Sequence, residues 1–108
     1  AIQLYSYFKS RNLKVWLIIG MLNNKNIYNF LGKLKPILEG VVAIPIPKEK
    51  NTFMPEEILK VCKKLKLNCI QQTSITKANN YLYKKIKPKV ILISGSLYLI
   101  GKIREKYL

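Results

Sequence analysis

The sequence contains no histidine and no aspartate, and its only carboxylates are Glu39, Glu49, Glu56, Glu57 and Glu105. Ser-His-Asp and Cys-His catalysis within the chain are therefore excluded, because both need an imidazole to carry the proton. A glycosidase-type pair of carboxylates is argued against by the same scarcity. Cys62 and Cys69 lie seven positions apart, without the tight spacing of a metal or redox motif and with no imidazole to complete a zinc site. Cys62 falls on the apolar face of a helix and Cys69 at the start of a short strand, so both read as buried free thiols. No apolar run approaches the roughly 20 residues of a membrane span. The segment VWLIIGML is too short for one, and too far inside the chain to be a secretory signal. The expected compartment is the cytoplasm, with no membrane partner.

What is abundant is lysine. Twenty basic residues against five acidic give a formal charge of +15, which points to nucleic acid or an anionic surface. Eighteen of the twenty are Lys and two are Arg, whereas base recognition favours the forked guanidinium. The lysines are also spread along the chain, from Lys9 and Lys14 through Lys60, Lys63 and Lys64 to Lys89. Lys, Ile, Asn and Tyr together make 49 of 108 residues while Ala supplies three, the signature of an A/T-rich coding sequence. Biased coding and solvated helix faces account for the charge, and any nucleic-acid binding is expected to be non-specific.

Along the chain, apolar periods of helix and strand alternate. Ile2 to Lys9 has helical spacing and Val15 to Gly20 reads as a buried strand. Ile27, Phe30, Leu31 and Leu34 form a helical stripe that Asn24 is placed to cap, and Pro36 and Gly40 end it. Val41 to Ile44 is a second strand, closed by Pro45 and Pro47. After a polar loop, Pro55 suits a first helical turn, and Glu56 and Glu57 complement its dipole. That helix buries Ile58, Val61, Cys62 and Leu65 and turns Lys60, Lys63, Lys64 and Lys66 to water. Asn68 to Gln71 is a short strand. Thr73 or Ser74 caps a helix buried through Ile75, Ala78, Leu82 and Ile86, which Pro88 ends. Val90 to Ile93 is the fourth strand and Leu97 to Lys106 the closing helix.

Short connections and strict alternation predict a three-layer, Rossmann-like α/β sandwich: a mostly parallel sheet, helices on both faces, one domain over residues 1–108. The break at Ser94-Gly95-Ser96 carries the most chemistry. Gly95 admits a sharp strand-to-helix turn and Ser96 is a good N-cap, which places free backbone N–H groups beyond the carboxyl end of a strand. A chain that opens on a helix before its first strong strand, with Ala1 in place of Met, reads as a fragment of something larger.

Three blocks in register, VWLIIGMLNNKNIYNFL, VVAIPIPKEKNTFMPEEI and VILISGSLYLIGKI, resemble the C-terminal domain of folylpolyglutamate synthase/dihydrofolate synthase, enzymes of the Mur ligase superfamily. GSLYLIGKI is the most specific part. The opening AIQLYSYFKS looks like the helix that follows the family's Asp-Gly-Ala-His-Asn motif. The resemblance implies a ligase in which a folate or dihydropteroate carboxylate attacks the γ-phosphate of ATP. Glutamate then displaces phosphate from the acyl phosphate. It further implies that the phosphate loop and magnesium ligands belong to an N-terminal ATPase domain, absent here. This domain then closes over the nucleotide, binds neither ATP nor magnesium firmly by itself, is inactive alone, and is a monomer. Where relatives show Asp-Lys-Asp, this chain has Asn24-Lys25-Asn26, so only Lys25 matches. Gly95 and Ser96 match the family's Gly-Ser turn, and with Lys25 they are the candidate nucleotide-cleft residues. No catalytic or metal-binding residue is expected. A small basic α/β module that binds nucleic acid is the competing reading; it needs Arg and aromatic residues gathered on one surface.

Overall fold

A computed structural model describes residues 14–21, 26–46, 50–88 and 90–94. The opening helix at Ile2 to Lys9, the closing helix at Leu97 to Lys106, and Asn24, Lys25, Gly95 and Ser96 all lie outside the described residues.

Strand β1 (Val15–Ile19) is buried along its whole length. Its side chains alternate between two cores. Val15, Leu17 and Ile19 enter one, Trp16 and Ile18 the other, as the two-residue period of a strand requires. Helix α1 (Ile27–Leu34) and strand β2 (Leu38–Ala43) follow, joined by a 3-10 turn over Lys35–Ile37. Helix α2 (Pro55–Lys64), strand β3 (Cys69–Gln71), helix α3 (Ile75–Tyr81) with a π-helical turn over Leu82–Ile86, and strand β4 (Ile91–Ser94) complete the order. The sheet runs β3-β2-β1-β4 with every pair parallel. Uninterrupted apolar strands covered from both sides are what such a sheet demands.

The helices divide between the faces. Ile27, Leu31 and Leu34 of α1 and Ile58 and Cys62 of α2 pack on the Val15–Leu17–Ile19 side. Ala78 of α3 and Leu82 pack on the Trp16–Ile18 side with Val42 and Ile91. This is the expected three-layer sandwich. Among the described residues no helix is long and apolar enough to cross a membrane.

Several boundaries differ from the sequence reading. Strand β2 starts at Leu38 and runs through Gly40, which is therefore not a helix stop. Gly40 is the register partner of Trp16, whose ring occupies the space a side chain would need. The cap of α1 is Asn26, whose Oδ1 accepts the Asn29 N–H at 3.0 Å, leaving no helical residue for Asn24 to cap. Ile75 and Ile86 are 43% and 38% exposed, not core residues. Ile75 sits in the first helical position above the sheet, and the π-helical turn carries Ile86 off the Ala78–Leu82 line. β1 and β2 form the middle of the described sheet, and β4 stands at its end.

Candidate functional site

In a parallel sheet all strands end at one edge, where each following helix begins. The register sets Gln71, Ala43, Ile19 and Ser94 in a row across that edge. Two further backbone bonds extend it: the Ile44 N–H donates to Ile19 O at 2.9 Å and the Gln72 N–H to Ala43 O at 3.0 Å. The order β3-β2-β1-β4 means that the chain winds outward from β1 to β3 and then returns to the other side of β1. The helices on the two faces reflect that reversal, which falls between β1 and β4. Open α/β sheets have their ligand crevice at such a switch point. Here it lies beside Gly20 and at the end of Ser94.

The exit of β1 is tightly held. The Phe53 N–H donates to Met21 O at 3.0 Å, tying the loop before α2 across the end of β1. A Cβ on Gly20 would stand 3.0 Å from the Ile46 side chain at Cγ1 and 3.1 Å from the Ile44 carbonyl oxygen, so its neighbours would have to give way by a few tenths of an ångström. Each helix start on this edge uses a side chain of its own. Asn26 caps α1, and Glu57 Oε1 accepts the Met54 N–H at 2.9 Å at α2. Ser74 Oγ accepts the Lys77 N–H at 3.1 Å at α3, which selects Ser74 over Thr73 as the cap. Three apolar side chains stand out from the same first turns: Tyr28 at 49% exposure, Met54 at 55% and Ile75. The sequence reading missed this rim. The only signal for it was an apolar residue within two positions of each helix start.

Charge on this edge is balanced among the described residues, with Lys50 and Lys77 against Glu56 and Glu57. Glu57 is already occupied by the Met54 N–H, and among the described residues no group of three metal-ligating side chains exists. The described residues therefore do not fit a magnesium site. They form a shaped, partly apolar edge without an acid–base pair among the described residues.

Of the candidate residues, Lys25, Gly95 and Ser96 lie outside the described residues, but the segments that carry them are bracketed. Met21 and Asn26 flank the first at the carboxyl edge, and Gly95 follows the last residue of β4. Cys62 and Cys69 are free thiols on the α2–β3 side, distant in role from this edge. They share a hydrogen bond that holds Cys62 below the ordinary thiol value, against the opposing effect of burial. The same bond pushes Cys69 well above it, and burial adds to the rise.

No protein-family profile matches the chain, and no curated protein matches it in sequence. In structure the chain is similar to Helicobacter pylori folylpolyglutamate synthetase, with a TM-score of 0.66 and 18% identity. The likeness covers 96% of this chain and 25% of that one, so the chain spans a quarter of the synthetase's length. It has the fold of the part it matches.

Proposed function

We propose that the chain is a domain of an ATP-dependent ligase of the folylpolyglutamate synthase/dihydrofolate synthase type, adding glutamate to folate or dihydropteroate. One observation carries this reading. The fold matches a folylpolyglutamate synthetase over 96% of the chain, and three sequence blocks in the same order resemble that family. Its role is to close over a nucleotide bound by an N-terminal ATPase domain. The lack of His and Asp, and of a metal-ligating group among the described residues, fits a domain whose partner supplies the phosphate loop and magnesium ligands. The carboxyl edge, with Lys25 and the Gly95-Ser96 turn, is the surface assigned to that partner. ATP and magnesium belong to the intact enzyme, and the chain alone does not turn over.

The test has two arms. The full-length enzyme, given magnesium ATP and glutamate, should ligate glutamate to a reduced folate or to dihydropteroate, and removal of residues 1–108 should abolish this. The chain alone should show no magnesium-dependent ATP hydrolysis, since a lid by itself cannot exclude water from a reaction centre. Ligation that survives the deletion, or ATP turnover by the chain alone, would defeat the proposal.

A further inference from the structure

The lysines that look dispersed in sequence converge in space. Each described strand is entered from a basic segment: Lys14 precedes β1, and Lys33 and Lys35 precede β2. Lys63, Lys64 and Lys66 precede β3, and Lys84, Lys85 and Lys87 precede β4. All nine are exposed, and they are nine of the twelve lysines among the described residues. Because the strands are parallel, all four segments lie at the amino edge of the sheet, opposite the edge proposed to face the nucleotide. The sheet order sets them in sequence along this edge, with the lysines before β3 at one end and those before β4 at the other, the former at helix ends on one face and the latter on the opposite face. At about 4.8 Å per strand, the edge is roughly 15 Å long. Glu39 is the one carboxylate of this edge among the described residues.

Helix dipoles account for part of the pattern. A cation in a last helical turn offsets the partial negative charge of the free carbonyls there, which covers Lys33, Lys63, Lys64, Lys84 and Lys85. Lys14 ends no described helix. Lys66 and Lys87 lie just beyond helix ends with φ of 60° and 54°. Lys66 closes α2 in a Schellman arrangement, where Leu67 N–H donates to Cys62 O at 2.8 Å and Lys66 N–H to Lys63 O at 3.1 Å. Glycine is the usual residue in that left-handed position. Cations thus stand even where the backbone favours another residue.

We propose that the amino edge is a docking surface for the sugar–phosphate backbone of single-stranded nucleic acid, separate from the ligase cleft. An edge lined with lysines and little Arg suits a linear polyanion read through its phosphates and not its bases. The phosphates of a single strand, strung on a flexible backbone, can follow such an edge without any base being read. An anionic bilayer fits less well. Membrane-surface elements present a continuous apolar face beside their cations, and among the described residues the exposed large apolar side chains of this edge are Tyr83 and Ile86, both at the β4 end.

The experiment compares two triple variants of the intact chain with equal charge loss: Lys63→Gln/Lys64→Gln/Lys66→Gln on the amino edge, and Lys50→Gln/Lys60→Gln/Lys77→Gln away from it. All six positions are exposed, and equal melting temperatures check that both variants fold. Binding of a fluorescent oligouridylate is titrated over a salt series, beside vesicles of phosphatidylcholine and phosphatidylserine in equal parts. The amino-edge variant should bind RNA about tenfold more weakly at low salt and lower the log–log salt slope by about 2, while the control changes affinity by less than about twofold. Equal losses in the two variants would show that net charge alone governs binding, and would overturn the proposal. So would absence of RNA binding by the unaltered chain at low salt, or tighter binding to the vesicles than to RNA at the same salt.

Discussion

The six-membered ring of Trp16 on β1 lies against the α-carbon of Gly40 on β2. A Cβ at Gly40 would overlap ring atoms Cη2, Cζ2 and Cζ3. The two residues are register partners in the middle of the sheet, and the ring belongs to the core beneath α3. The ring is itself buried in that core, so it cannot turn aside as an exposed flexible side chain can.

Gly40→Ala should therefore destabilise the chain by about 1–3 kcal/mol through overpacking, measured by urea unfolding. Adding Trp16→Leu, which removes the ring, should make the double variant lose less than the sum of the two single losses. Strict additivity would mean that the ring does not set the requirement for glycine.

The π-helical turn supplies a second contrast. Leu82 is fully buried in the Trp16 core, whereas Ile86, four residues on, is partly exposed. Leu82→Ala should cost about 2–5 kcal/mol by leaving a cavity, and Ile86→Ala no more than about 0.5 kcal/mol. Comparable losses at both sites would restore an unbroken helical stripe in place of the π-helical turn.

Which features were legible depended on whether their cause is local. The strands at Val15, Val41 and Val90 announced themselves as unbroken apolar runs, Glu57 as a first-turn residue, and the cap of α3 as either Thr73 or Ser74, between which only the hydrogen bond to Lys77 decides. Gly40 was read as a helix stop because its reason for being glycine, Trp16, lies 24 positions away on another strand. The lysines seemed scattered for a related reason: a βα chain returns to the same edge before every strand, so residues far apart in sequence share one surface. The apolar rim at Tyr28, Met54 and Ile75 escaped because helical periodicity cannot tell a buried first-turn residue from one standing above the sheet. Lys25, Gly95 and Ser96 were chosen by motif and topology, and the described residues fix only where their segments are anchored.

The cap of α1 lends itself to a graded test. Asn26→Ala should cost about 1 kcal/mol, because the Asn29 N–H loses its acceptor. Asn26→Asp keeps the acceptor and adds a negative charge at the helix N-terminus, worth a stabilisation of about 0.3–1 kcal/mol at low salt. That change also restores one flank of the Asp-Lys-Asp pattern seen in the resembling family. Thermal melts at low and high salt separate the two effects, since only the charge term fades. An Asp variant no more stable than the parent at low salt would show that the dipole contributes nothing here.

The thiol pair makes a prediction about pH. The ordinary thiol value is 9.0, and in the folded chain Cys69 sits well above it while Cys62 sits below. The stabilisation from Cys62 grows as pH rises towards 9.0 and is complete beyond it. Above that value an unfolded chain has released both protons, whereas the folded chain still holds the one on Cys69. The folded state then binds more protons, and stability falls as pH rises further. Cys69→Val should flatten the decline in melting temperature between about pH 9 and 10 relative to the parent. Parallel declines in parent and variant would remove the thiol pair as a cause.

The last prediction concerns the cleft. The loop carrying Lys25 leaves Met21, whose carbonyl is held by Phe53, and rejoins the fold at the Asn26 cap, so both ends are fixed at the carboxyl edge. Gly95 and Ser96 follow β4, the strand on the far side of the switch from β1. The described residues next to them, Met21 and Asn26 on one side and Ser94 on the other, flank the place where α/β sheets hold their ligands. The proposed cleft role asks Lys25 to meet an anionic group and the Gly95-Ser96 turn to offer backbone N–H groups, as the sequence reading expects. In the full-length enzyme, Lys25→Ala and Ser96→Ala should each lower glutamate ligation at least about tenfold, the loss of a single charged or N-terminal contact to the reacting complex. Their melting temperatures should move by no more than a lost surface charge or a lost cap explains, about 1 kcal/mol of stability. Lys64→Gln on the opposite edge serves as the matched control and should leave turnover unchanged. Should both cleft variants retain full turnover, Lys25 is a surface charge, Ser96 is a helix cap, and the carboxyl edge is not where this domain meets its nucleotide.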